Sequence, residues 1–149
     1  MDFDDPIPPL ESAEDPFTSP EELRQRWRAL MGPLGFSEPL VWVAPVHPDH
    51  TLHKALIQVE RTLVPDSYLA DLLMLRLSEL IDGNEDHVSG FALLLTRPGS
   101  NGVSHWDRGW ARLLANAARV FDVPVESIFR ANARDVREVP LVADEHTAA

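Results

Sequence analysis

Apolar residues recur along the chain with two spacings, and the switches between them mark its elements. Leu23, Trp27, Leu30 and Met31 follow a helical period after Ser19-Pro20-Glu21-Glu22. That start places Ser19 at the N-cap, Pro20 in the first turn and Glu22 where it returns a hydrogen bond as in a capping box. Gly32-Pro33 ends the helix, and Arg24 and Arg28, four apart, are expected on its solvated face. Leu40–Val46 and Leu52–Arg61 are β-rich and joined through Pro45, His47, Pro48 and Asp49, which predicts a hairpin. Pro45 lacks an amide hydrogen and predicts an edge position or a bulge near the end of the first strand. Asp66 caps a second helix to Ile81, closed by Asp82-Gly83-Asn84. Val88–Thr96 has no polar alternation in Phe-Ala-Leu-Leu-Leu and predicts a strand buried on both faces.

Arg97–Val103 is the most loop-like internal segment. Ser104-x-x-Asp107 then opens a third helix carrying Trp106, Trp110, Leu113, Leu114, Ala117, Ala118 and Phe121. Strands are expected at 125–131 and 136–142, with a turn at 132–135. The fold class is therefore α/β, a mixed β-sheet with flanking helices in the order αββαβαββ. Helix 66–81 carries leucines around most of its circumference, so a single buried stripe does not account for it. It is expected to be covered by more than one neighbour, within the domain or across a homodimer or protein partner.

Composition changes this picture mainly at the ends. The chain has 149 residues, a formal charge of −11 and no cysteine, enough for one core without disulfides. Residues 1–22 hold eight acids, no base and five prolines, so 1–18 is expected to be a disordered acidic arm, a solubilising tail or partner contact. Residues 19–142 form the domain and 143–149 a frayed acidic tail. Between the ends, residues 23–137 hold 13 acids and 13 bases and are electrically balanced. The net charge argues against wholesale nucleic-acid or anionic-membrane binding, although residues 97–137 carry seven bases against four acids. The longest apolar run, Phe91–Leu95, is too short to cross a bilayer, and the N-terminus carries acids where a secretion signal carries bases; a cytoplasmic protein without cofactor is expected.

Without cysteine, only histidine and carboxylates are left as metal ligands. His47, His50 and His53, three apart around the hairpin turn, could make a metal site if the loop turned them inward, with Glu60 or Asp49 beside them. The competing reading is a polar, solvent-exposed hairpin tip. The strand–loop–helix passage from Thr96 to Ser104 is placed like an anion cradle, with Arg97 beside it, but lacks a Walker or dinucleotide fingerprint. No Gly-x-Ser-x-Gly elbow is present. Trp106 and Trp110 are expected in core or interface before any base-stacking role.

The segment from Phe91 through Leu95, Arg97, Pro98 and Ser104 to Asp107 resembles the metal-binding region of the JAB/MPN metalloprotease-like family, especially its RadC-type branch. That family has a buried strand leading into His-x-His-Pro-Ser-Gly, then Ser-x-x-Asp at the start of a helix. The resemblance implies a JAB/MPN-like (cytidine-deaminase-like) layout over residues 38–142. It implies zinc on two histidines and the aspartate, with an upstream glutamate as base. Pro98, Ser104 and Asp107 match the pattern, while Leu95 and Arg97 stand at the histidine positions and cannot ligate zinc. Glu60 is the candidate for the upstream base position. The resemblance thus implies a degenerate, metal-free domain in which Arg97 takes the ion's place and pairs with Asp107. It would act as a non-catalytic protein-interaction module. Two other readings remain: a metal-dependent hydrolase using His47, His50 and His53, and a DNA-associated accessory protein of RadC type.

Overall fold

The computed structural model describes residues 6–83 and 87–141. Among these residues, three α-helices and five strands are arranged as α1 (Pro20–Met31), β1 (Leu40–Val46), β2 (Ile57–Glu60), α2 (Ser67–Asp82), β3 (Gly90–Thr96), α3 (His105–Val120), β4 (Phe129–Ala131) and β5 (Val136–Glu138). The sheet order is β2-β1-β3-β4-β5, antiparallel throughout except for the parallel β3–β4 pair joined through α3. This is the mixed α/β sheet expected from the alternating elements.

Every residue of β3 is buried. Its alternation sends Phe91, Leu93 and Leu95 into a core shared with α2 and α3, and Ala92 and Leu94 into a second core with Leu23 and Trp27 of α1. A fully buried leucine contributes about 1.5–3 kcal/mol, so this strand is the layer on which both cores depend. Gly90 is required by close approach, because a Cβ there would lie 2.8 Å from the carbonyl oxygen of Pro124.

Helix starts follow the capping chemistry closely. The Asp66 carboxylate accepts from the amides of Tyr68 and Leu69. Ser104 and Asp107 form a complete capping box. At α1 the Ser19 hydroxyl accepts from the Glu22 amide, but Glu22 returns its bond one residue further back, to the amide and hydroxyl of Thr18.

Several boundaries differ from the expected ones. The second strand begins at Ile57 rather than Leu52, because the His53 ring accepts the Ala55 amide and draws residues 53–55 into a local turn, with Leu52 left in a single bridge to Val46. The fourth strand shrinks to 129–131, with Val125 bridging Phe91, and the fifth ends at Glu138, just before Pro140. β1 is an internal strand, not an edge, yet Pro45 falls beyond the end of its ladder with β2, so no β2 carbonyl is left facing the amide that proline lacks. Arg28 is buried, not solvated, with its guanidinium turned back onto the carbonyl of Gly32.

The largest correction concerns the acidic arm. Leu10–Glu14 forms a 3-10 helical turn, Ala13 and Phe17 are buried, and the Phe17 amide donates to the His50 carbonyl at 3.0 Å. Arg26 of α1 ties the segment down through the carbonyls of Asp15 and Pro16. Disorder through residue 18 was expected from charge and proline content. Two well-spaced apolar side chains and a nearby arginine are enough to dock residues 10–18 on α1 and the hairpin. Residues 1–5, the stop at Asn84 and the tail at 143–149 lie outside the described residues.

Candidate functional site

Immediately after β3, the Arg97 side chain turns inward beneath the loop it begins. Its Nε donates to Asp107 Oδ1 and its Nη2 to Asp107 Oδ2, each at 2.8 Å, a two-pronged guanidinium–carboxylate pair with side chains only 8% and 2% exposed. The sequence expectation that Arg97 meets Asp107 therefore corresponds to a direct contact. Arg97 also organises the loop above it, donating to Asn101 Oδ1 at 2.8 Å and to the carbonyls of Pro98 and Gly102. Asp107 is at the same time the third residue of α3, where its Oδ2 accepts the Ser104 amide at 2.8 Å. One carboxylate thus serves as helix cap and as counter-ion.

Two further arginines complete the cluster. Arg130 of β4 is fully buried, with Nε 3.7 Å from Asp107 Oδ2 and Nη1 donating to Asp135 Oδ1 at 2.7 Å, while its Nε and Nη2 make no hydrogen bond. Arg61 follows β2 and donates to three backbone carbonyls, those of Leu40, Thr62 and Thr96, with its guanidinium 5.6 Å from the Trp110 ring centroid. Burial, with the nearby positive charge of Arg97, pushes Arg61 down to about 10 against the pull of Asp107. Burial alone would raise the Asp107 carboxyl, but hydrogen bonds from Arg97 and the Ser104 amide, with the charges of Arg97 and Arg130, outweigh it and hold Asp107 below its ordinary value.

The other candidate residues separate from this cluster. Leu95 is buried among apolar neighbours in the α2/α3 core, and Pro98 is exposed on the loop. Glu60 is exposed and stands opposite Leu40 and in line with Thr96, on the α1 face of the sheet. Side chains alternate, so Glu60 points away from the face that carries Leu95 and Arg97, and Arg61 takes the facing position instead. Glu60 as the upstream base is thereby corrected.

The three hairpin histidines do not converge. The rings of His47 and His53 are 5.1 Å apart, whereas His50, in left-handed backbone conformation with φ of 64°, packs its ring edgewise on Phe17. Asp49 is spent on the amide and hydroxyl of Thr51. No cluster of three metal-ligating side chains occurs among the described residues. Trp110 is buried with its indole N–H donated to the carbonyls of Thr62 and Leu63, while Trp106 stays 42% exposed.

Arg61 and Arg130 were not singled out from sequence, although a signal existed. Arg61 continues the alternation of Ile57 and Val59, and Arg130 continues that of Ile128, so each falls in phase with core residues. A charge at such a position needs a buried partner.

Neither a family model, nor a curated protein, nor a solved structure matches the chain. Its site is read from its own geometry. That geometry does not fit a zinc ion: Leu95 offers no donor, and both oxygens of Asp107 are engaged by Arg97. A carboxylate so occupied and so little exposed is also not placed to act as a base on a substrate.

Proposed function

We propose that this chain is a non-catalytic domain of JAB/MPN-like layout that acts as a protein-interaction module. The observation that carries the reading is the buried Arg97–Asp107 pair, in which, on this reading, the guanidinium takes the place of the family's ion. Support also comes from the element order: hairpin, helix, buried strand, motif loop, helix, strand, turn and strand run from Leu40 to Glu138. The contact surface is α2, which keeps Tyr68, Leu75 and Leu80 exposed. Among the described residues no helix is long and apolar enough to cross a membrane.

Elemental analysis of the purified protein tests the first half of the reading. Zinc well below one equivalent is expected. Zinc near one equivalent that disappears in Asp107→Ala would overturn it. The layout is tested by rebuilding the motif: the Leu95→His, Arg97→His double variant is expected to gain about one zinc, since two imidazoles and Asp107 would then converge with a water in the fourth place. A folded double variant that takes up no zinc would refute the layout.

A further inference from the structure

The outer side of α2 combines an apolar seam with a charge pattern that matches itself. Ala70, Leu73, Met74 and Leu77 face the core. On the opposite side Tyr68 is 72% exposed, Leu72 half-buried and Leu75 37% exposed, followed by Glu79. These positions are spaced four, three and four, the seam of a two-helix interface. Asp71 and Arg76 lie on the two flanks of that seam, and both are exposed. Leu63 and Val64, 39% and 53% exposed, sit just before the helix begins.

We infer that α2 pairs with α2 of a second copy of this chain, parallel, about a two-fold axis running along the helices. This rests on the reading of the chain as an interaction module and names its partner. In a parallel pair, a residue on one flank meets the residue five further along on the partner's other flank, so Asp71 meets Arg76 twice, once on each side of the axis. An antiparallel pair would bring each flank onto its own kind, leaving Asp71 against Ser78 and Arg76 against Leu69 with no charge matched. Arg76 already donates to Glu79 of its own helix at 3.3 Å, so in the pair it bridges two carboxylates. That contact also keeps the Glu79 charge covered where the two copies of it approach, and it ends the apolar seam at Leu75.

Light scattering after size exclusion, on the full chain from about 1 to about 300 µM, spans the range expected for an interface of this modest size. A concentration-dependent dimer is expected. Asp71→Arg or Arg76→Asp alone replaces two attractions by two repulsions and weakens dimerisation by about tenfold or more. The combined Asp71→Arg, Arg76→Asp variant recovers part of that loss, because the pairs are re-formed in reverse while Glu79 loses its own-helix partner. Both sites are on the surface, and circular dichroism confirms that each variant is folded. A monomer at the highest concentration overturns the inference, as does a dimer that ignores the single reversals or fails to recover in the double one. The zinc content is unaffected by any of these results, so failure here leaves the non-catalytic reading standing on its own test.

Discussion

Replacing Asp107 by asparagine removes one negative charge from a place where two buried guanidinium groups depend on it. The carboxylate receives two hydrogen bonds from Arg97 and one from the Ser104 amide, all at 2.8 Å, and lies 3.7 Å from Arg130. Breaking a buried ion pair by removing one partner typically costs about 3–5 kcal/mol, because the remaining charge is left uncompensated. The amide retains the shape and can still accept one bond at the helix start, so the capping loss of about 1 kcal/mol is largely avoided in Asn and added in Ala. We expect Asp107→Asn to lose about 3 kcal/mol and Asp107→Ala about 4 kcal/mol, a large share of a total stability near 5–15 kcal/mol. Urea unfolding followed by tryptophan fluorescence measures both. The pH dependence gives a second check. Asp107 is held below its ordinary value in the folded chain, so its stabilisation is present above the unfolded carboxyl range and disappears as pH falls through the folded value. The gap between wild type and Asp107→Asn should therefore be constant near neutrality and close at acid pH. A loss under about 1 kcal/mol, or a gap that does not narrow in acid, would refute the assignment of Asp107 as the counter-ion of this cluster.

Arg61→Met should destabilise by about 2–3 kcal/mol through the loss of its hydrogen bonds to the carbonyls of Leu40, Thr62 and Thr96, of which Thr62 keeps the Trp110 indole as a donor, and Arg61→Lys should recover little of it, since an ammonium cannot reproduce the planar fork over Trp110; the same unfolding curves show both. Phe17→Ala should cost about 3 kcal/mol as a buried aromatic, whereas in a detached arm it would cost under about 0.5 kcal/mol. Gly90→Ala should lower thermal stability by about 1–3 kcal/mol, because its Cβ meets backbone rather than a movable side chain, while Gly102→Ala, with open space around it, should melt like wild type.

Local chemistry was readable wherever the determining residues are close in sequence. Asp66 and Ser104 announce their helices because each cap satisfies amides two or three residues away, and β3 announces its burial because five apolar residues follow one another. The Arg97–Asp107 contact spans ten residues and was readable only through the motif pattern around it. Arg61 and Arg130 meet the same cluster through sheet register, which depends on pairing between strands distant in sequence. Charge composition misled at residues 10–18. An average over acids and prolines does not register that Phe17 and Ala13 each find a pocket, or that Arg26 is within reach to hold the backbone between them. The hairpin histidines were equidistant in sequence, but the left-handed turn at His50 throws the middle ring to the other side.

The loop that follows β3 is fastened from two directions. Arg97 grips it from below through Asn101 and Gly102, and the β4–β5 turn holds it from the side, where Asn132 donates to the Asn101 carbonyl at 2.7 Å and the Ala133 amide to the Gly99 carbonyl at 2.8 Å. β4 and β5 contribute only three residues each to the sheet, so these ties add to a short ladder. The loop, the first turn of α3 and the β4–β5 turn consequently share one opening equilibrium. In hydrogen exchange, the amides of Ser104, Asp107 and Ala133 would become exchangeable together, as a single cooperative unit built across three segments of the chain rather than within any one of them.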